Sequence, residues 1–421
     1  MVGSERFARV ALAFSLVAHF VLQLVPKTTT LIDLRVYRHA SPAVLDGSLY
    51  QFRLGEFSDQ FPLPFTYPPF AALVLLPLAY LPWLVVRIGW QLLSIGCLYW
   101  IVRCSLQLVA GRMDPRHELL GGRVDAVARH AMLWTALALW IEPVRTTLNY
   151  GQVNLVLVAL LLTAMVAGRD VLAGFGVGLA AGVKLVPAIC GLYFLARRRF
   201  AAAGWSAAWF AGTVVLAFVV APGPSRDYWL HLLGDASRIG PVGSAINQSL
   251  RGALARTAGH DVGLGPSWLV AAVLTAVLAG LALRAAVRAN DTLAAIVVVQ
   301  LFGLLVSPVS WSHHWVWVVP ALVWLAHGPA AHRLAARACL LFWLLLVGSY
   351  LVPLLVVAQP TTWTISRPWY LAASGWAYPV AALLTLAAVL RTARRPAVEL
   401  KVVIPQDRPP SEVVALAVSP R

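Results

Sequence analysis

Residues 7–25 read FARVALAFSLVAHFVLQLV, and residues 28–40 read TTTLIDLRVYRHA. The first stretch is close to the roughly 20 apolar residues that a membrane-spanning helix needs. No small-residue cleavage site follows it, so it is expected to stay as a helix and not to be removed as a signal peptide. The second stretch brings a carboxylate, Asp33, to the edge of lipid. Ionisable groups beside a membrane core are costly and mark candidate functional sites.

The same pattern extends along the chain. Its 421 residues are 60% hydrophobic and 12% charged, with a mean hydropathy of +0.76. This composition excludes an ordinary soluble domain and fits a polytopic membrane protein. Apolar runs bounded by Pro, Gly and Arg give about twelve spans by length. They begin near Phe7, Tyr67, Ile88, His130, Val153, Val171, Gly204, Pro266, Leu293, His314, Arg337 and Leu371. The expected fold is therefore all-α: a transmembrane helix bundle over residues 1–395 with short interfacial helices in its outer loops. A disordered cytoplasmic tail is expected over 396–421, where Pro405, Pro409 and Pro410 interrupt any helical period.

The net charge of +16 comes mostly from arginines clustered at the ends of the runs, with Lys at 27, 184 and 401 only. That arrangement suits topology control and membrane lipids; nucleic acid would want a contiguous basic face. With the N-terminus inside, Arg197 to Arg199, Arg284 with Arg288, Arg333 with Arg337, and Arg391 onward all fall on the inner side. Segment 111–130, with Arg112, Arg116, Arg123 and Arg129, falls outside on this count and is its one disagreement. The outer segments are 26–66, 222–265 and 307–314, with 361–369 a candidate fourth. Four cysteines without CxxC spacing read as free thiols.

Polar residues concentrate at the outer face. Asp33 and Tyr37 are four apart and share a helix face, with Arg35 and Arg38 near enough to hold an anion. A carboxylate there can take a proton from an incoming hydroxyl, and burial raises its pKa toward a useful range. The structural alternative is a solvated Asp balancing arginines. Tyr67-Pro68-Pro69 suits a first helical turn, whose amides are unpaired anyway, and Tyr67 stands where a substrate could touch it. In NYGQVN (149–154), Gln152 and Asn154 either bind a polar headgroup or satisfy exposed backbone. Lys184, the one Lys inside an apolar run, must pair, snorkel or line a cavity. Glu142 is a candidate partner for it, and a lipid phosphate would serve as well. Arg251, after Asn247-Gln248-Ser249, has the fork geometry for phosphate or is a surface arginine. SPVSWSHHWVW (307–317) gathers His313, His314 and Trp311: imidazoles titrate near neutral pH, and indoles stack on sugars or seat at the interface. Adjacent histidines on a helix point about 100° apart, and HExxH is absent, so no metal site is expected.

In these residues the chain resembles the membrane-embedded C-type glycosyltransferases, in particular the actinobacterial polyprenyl-phosphate-mannose-dependent α-1,2-mannosyltransferases. DLRVY, FTYPPF, NYGQVNLVLVALLL, GLAAGVKLVPAI, NQSLRG and SPVSWSHHWVWVVPAL occur in order over most of the chain. The resemblance implies about a dozen spans in the cell membrane, a cavity facing the outer (periplasmic) side, and inverting transfer of mannose from polyprenyl-phosphate mannose. It makes Asp33 the general base, puts His313 and His314 by the donor phosphate or sugar with His314 preferred, and makes Lys184 and Arg251 phosphate contacts. No metal and no cofactor are implied, since the lipid-linked sugar is a substrate. The acceptor is a mannosylated glycolipid or lipoglycan. Branching of lipomannan and lipoarabinomannan is placed ahead of phosphatidylinositol mannosides. The competing class is a lipid-carrier transporter or flippase, which would place ionisable residues or broken helices near the midplane, often in two related halves. No half-repeat is visible here.

Overall fold

The computed structural model describes residues 2–25, 29–55, 63–111, 126–359 and 361–393. The expected tail at 396–421, most of segment 111–130, and Glu56 and Asp59 lie outside the described residues. Apart from a short antiparallel pairing of β1 (Arg53–Leu54) with β2 (Leu63–Pro64), the regular structure is helical. The four cysteines are free.

α1 (Val2–Leu24) is the first apolar run, followed at its C-terminal end by two short helices, α2 (Ile32–Ala40) and α3 (Ala43–Asp46). The run from Tyr67 is not the span that was expected. It forms α4 (Pro69–Leu75) and α5 (Pro77–Tyr80), and both ends of the run stay beside α2: the Tyr67 hydroxyl is 3.1 Å from that of Tyr37. Pro77 supplies no amide and divides the two helices. Arg38 on α2 then donates to the carbonyls of Leu78 at 3.2 Å and Leu81 at 3.1 Å, so the chain returns to the end it started from.

α6 (Trp83–Val109) consequently starts beside the end of α1 and runs antiparallel to it: Arg87 donates to the Gln23 carbonyl at 2.9 Å, and His19 meets Gln91 at 3.1 Å. α7 (Ala126–Ala138) runs back parallel to α1, with Ser15 donating to the Ala136 carbonyl at 2.8 Å and Arg145 meeting His19 at 2.7 Å. The turn between α8 (Glu142–Tyr150) and α9 (Asn154–Val166), bent by 117°, thereby reaches the same end as Asp33.

α10 (Asp170–Val183) stops at Lys184. A 3₁₀ turn (Val186–Ile189) and α11 (Cys190–Ala196) lead back to its start, where Arg199 donates to the Ala167 carbonyl at 2.8 Å and to Asp170 at 2.6 Å. Glycines 174, 178 and 182 form one stripe of α10 against α12 (Phe200–Val220). A Cβ on any of them would come within 2.3–2.6 Å of Trp205, Trp209 or Thr213, so small residues set this close packing. At the Asp33 end lie α13 (Pro222–Arg226), the π turn Asp227–Leu232 and α14 (Leu250–Ala258). α15 (Pro266–Arg288), α16 (Thr292–Val306), α17 (Val318–His327), α18 (Leu334–Gly348) with α19 (Leu351–Ala358), the short α20 (Trp369–Ser374) and α21 (Ala377–Ala393) complete the bundle. Its other end is tied by Arg197 to Asn290 at 3.0 Å, Trp324 to Asp291 at 2.8 Å, and Arg333 to the Arg391 carbonyl at 3.1 Å.

Among the described residues, four helices (Glu5–Leu24, Trp83–Val109, Phe200–Val220 and Pro266–Arg288) are long and apolar enough to cross a bilayer, and the number is up to 6 if each bent pair is one span. This is a helical membrane protein. Helix length alone does not reach the dozen spans expected.

Gly151 sits at φ 69°, and a Cβ there would lie 2.6 Å from Cβ of Leu34 on α2. Both the left-handed backbone and the close approach demand glycine. Gly151→Ala is expected to cost roughly 2–4 kcal/mol, read as a lowered thermal midpoint of the detergent-solubilised protein.

Candidate active site

α2 is set against the α8–α9 turn by the amide of its N-cap residue. Leu31, held at φ 48°, donates its N–H to the Asn149 carbonyl at 2.8 Å. That left-handed backbone is strained for a leucine and is fixed by this bond and by burial of the side chain. Asp33 follows in the first turn, where the helix dipole favours a negative group. It is half-buried and opens into a cavity of about 950 Å³. Desolvation by the surrounding walls pushes its pKa up to about 6, against a hydrogen bond from Gln152 and the charge of Lys184, both of which lower it. One turn later the buried Tyr37 donates its O–H to Gln152 Oε1 at 2.9 Å. Tyr67 donates to the same oxygen at 2.9 Å, and the two hydroxyls are 3.1 Å apart.

Lys184 enters the cavity from the break after α10. Its ammonium donates to Asn154 Oδ1 at 2.8 Å, reaches the Tyr67 hydroxyl at 3.5 Å and lies 5.2 Å from the centre of the Tyr67 ring. The expected pairing with Glu142 is not formed. Glu142, buried at the start of α8, instead accepts from Tyr378 at 2.6 Å, Thr146 at 2.7 Å and Ser312 at 2.8 Å. Three hydroxyls satisfy that carboxylate without a cation.

The segment carrying the histidines is held on two sides. Asn247 donates from Nδ2 to the carbonyls of Val242 at 2.9 Å and Pro308 at 3.2 Å, and accepts the Ser310 amide on Oδ1 at 2.9 Å. Thr147 and Asn154 both donate to the His313 carbonyl, at 2.9 and 2.8 Å. His313 and His314 then face the cavity with ring centres 4.7 Å apart, and Tyr150 lies 5.5 Å from His313. Burial, with the Lys184 charge second, lowers the pKa of both imidazoles well below the usual histidine range, so each is neutral near pH 7. His313 is 4% exposed, and neither of its ring nitrogens has a hydrogen-bond partner among the described residues.

Asp33, Tyr37, Tyr67, Gln152, Lys184, Trp311, His313 and His314 thus line one cavity. Asn154 stands behind it, bridging Lys184 and the histidine segment. Arg251 is not brought to the cavity: it is engaged by Asp261 through bonds of 3.0 and 2.7 Å. The sequence reading missed Arg238, which lines the cavity and donates to the Phe65 carbonyl at 2.9 Å, and Tyr228, which lines it and stacks on Tyr50 at 5.8 Å. Neither stands in a local pattern that marks it. Among the described residues, no group of three or more His, Cys, Asp and Glu could hold a metal ion.

Residues 65–308 match glycosyltransferase family 87. The chain is 48% identical over 385 residues, covering 91% of this chain and 90% of the relative, to a polyprenol-phosphate-mannose-dependent alpha-(1-2)-phosphatidylinositol pentamannoside mannosyltransferase of Mycolicibacterium smegmatis. A protein of the same description from Mycobacterium tuberculosis is 46% identical, over 86% of this chain and 82% of its own. A Mycobacterium tuberculosis protein described as the corresponding phosphatidylinositol mannoside mannosyltransferase is 35% identical over 69% of each chain. No solved structure matches. This chain belongs to glycosyltransferase family 87.

Asn154→Leu would remove the one close acceptor of Lys184 and one of two donors to the His313 carbonyl. A loss of roughly 1–3 kcal/mol is expected, measured as the shift in thermal midpoint against the wild type.

Proposed function

We propose that this protein transfers mannose from polyprenyl-phosphate mannose to a hydroxyl of a phosphatidylinositol mannoside, forming an α-1,2 linkage with inversion. The observation that supports this most is that Asp33 and Lys184 line one cavity in a family 87 chain. Asp33 acts as the general base. The acceptor oxygen attacks the anomeric carbon, its proton goes to the Asp33 carboxylate, and the carbon–oxygen bond to phosphate breaks with its electron pair leaving on the polyprenyl phosphate. An α product by inversion requires a β-linked donor. The leaving phosphate needs little protonation, so the Lys184 ammonium, with a neutral imidazole N–H from His313 or His314, is enough to stabilise its charge. Tyr37, Tyr67 and Trp311 complete the walls that hold the substrates. The reaction so written needs neither metal nor nucleotide.

The sequence reading placed a lipoglycan polymer first as acceptor. The names of the relatives at 48% and 46% identity favour the smaller glycolipid, specifically one already carrying several mannoses.

The cavity faces the outer side of a membrane that the chain crosses twelve times, through α1, α6, α7, α9, α10, α11, α12, α15, α16, α17, α18 with α19, and α21. Three observations support this orientation. Arg197, Arg288, Arg333 and Arg391 lie at the end opposite the cavity, as the positive-inside rule asks. Because both ends of the α4–α5 run lie at the cavity end, the end of α6 and the start of α7, with Arg129, fall on that inner side as well. α10 and α11 are short, but they break where the cavity lies, the one place at depth where irregular backbone is tolerated.

Membranes containing the protein, labelled polyprenyl-phosphate mannose and phosphatidylinositol mannosides should form a mannosylated product. Asp33→Asn should lower the rate by about 10²–10⁴-fold and Lys184→Met by a comparable amount, with Arg251→Ala within about twofold of wild type. Label appearing only in added lipomannan would return the polymer to first place. For orientation, Ala110→Cys in a background without the native cysteines should react with an impermeant maleimide only from the side that labels Arg197→Cys. Labelling from the opposite side would reverse the direction given to α6.

A further inference from the structure

Two hydroxyls converge on one amide oxygen beside Asp33. Tyr37 comes from α2, and Tyr67 from the stretch ahead of α4. Both donate to Gln152 Oε1 at 2.9 Å. Gln152 is 4% exposed, so these bonds are largely shielded from water. The turn that carries it is fixed by the left-handed Gly151 in contact with Leu34, the residue after Asp33. With Oε1 taken by both tyrosines, Nε2 is the Gln152 group left to face Asp33, and an ionised carboxylate can only accept from it, in keeping with Gln152 being a group that lowers the Asp33 pKa. The two tyrosines therefore decide which end of the amide Asp33 meets.

We infer that Gln152 is a positioning residue for the base and not a sugar contact: Tyr37 and Tyr67 lock its carbonyl, and the locked NH₂ holds the Asp33 carboxylate charged and aimed into the cavity. This rests on Asp33 being the base of the proposed transfer. The other titratable groups around Asp33 are Tyr37 on its own helix, Tyr67, Tyr150 at the end of α8 and Lys184, with His313 and His314 lining the same cavity. Burial raises Tyr37 and Tyr67 and lowers both histidines, so none of these four changes charge between pH 6 and 8. Lys184 must be protonated to hold phosphate and governs the alkaline limb of a bell-shaped profile. The acid limb belongs to Asp33.

The direction of the effect follows. A base works deprotonated, and a donor to its charged form keeps its pKa down. Removing that donor moves the acid limb of kcat/KM toward higher pH.

The experiment is the pH dependence of kcat/KM for the wild type, Gln152→Leu and Gln152→Glu, with Asp33→Asn as the reference for the base. The wild-type acid limb is expected near the pKa of about 6 that Asp33 has here. Gln152→Leu should move it upward by about one pH unit, so that its deficit is several-fold larger at pH 6 than at pH 8. Gln152→Glu keeps an acceptor for both tyrosines but turns a second carboxylate oxygen toward Asp33, and should move the limb further in the same direction. It gives the same reading if Gln152→Leu does not accumulate. An inactive Asp33→Asn together with an unmoved limb, or a deficit equal at every pH, would overturn the positioning role and leave the base assignment standing. An active Asp33→Asn would overturn both.

Discussion

The site depends on six residues, Asn149 to Asn154, at the sharp turn between α8 and α9. The Asn149 carbonyl takes the amide of the α2 N-cap residue, and Gly151 lets Leu34 approach to a distance that any Cβ would forbid. Gln152 collects two tyrosine hydroxyls, and Asn154 joins the Lys184 ammonium to the His313 carbonyl. Asp33, Lys184 and the histidines lie far apart in sequence and on elements with different directions. One turn of backbone and two amide side chains bring them to a common cavity. Asn154 can join its two partners because one short amide side chain carries a donor, given to the His313 carbonyl, and an acceptor, given to the Lys184 ammonium.

Several arginines in this chain are held by backbone carbonyls. Arg256, 1% exposed, donates to the carbonyls of Ser244 at 2.9 Å, Asn247 at 2.7 Å and Gly375 at 2.6 Å, clamping the loop that carries Asn247. Arg38, Arg199 and Arg238, all partly buried, also bond backbone carbonyls, Arg199 together with Asp170. A guanidinium fork spread over several carbonyls is satisfied by the protein itself and serves as a staple. Lys184 differs. It has one close acceptor and one distant hydroxyl for three N–H groups, and it faces an open cavity. That unmet capacity, more than the presence of charge, separates a cation suited to a ligand from one that holds the fold.

Asp33, Lys184, Gln152 and the His313–His314 pair were legible in the sequence because each is a polar type that a mostly apolar chain carries only at a cost. Partner choice was not legible. Arg251 has the chemistry for phosphate, but Asp261, ten residues on, claims it. Arg238 stands in no pattern yet reaches the cavity. Pairing Glu142 with Lys184 assumed that a buried charge needs its opposite, whereas three hydroxyls from α8, α21 and the histidine segment suffice. The run at Tyr67 has the apolar count of a span, but Arg38 on α2 bonds the carbonyls of Leu78 and Leu81, and the far end of the run stays at the end where Asp33 lies. Hydropathy reports what lipid tolerates, and it is silent on which backbone carbonyl an arginine will find.

The position of α4 and α5 decides whether the site can form. With a span at Tyr67, residues 149–154 would lie at the end opposite Asp33, and the amides could not reach it. With α4 and α5 returning, the breaks at Gly151, Lys184 and His313 all gather around one cavity. Each interrupts a helix shorter than a bilayer is thick, and each exposes backbone that lipid could not satisfy. Of the carbonyls so freed, that of Asn149 is taken by Leu31 and that of His313 by Thr147 and Asn154. A helix that is too short is therefore a positive signal in such a chain. It marks where the bundle holds polar space instead of lipid, and in this protein those marks surround the carboxylate and the ammonium that the proposed chemistry requires.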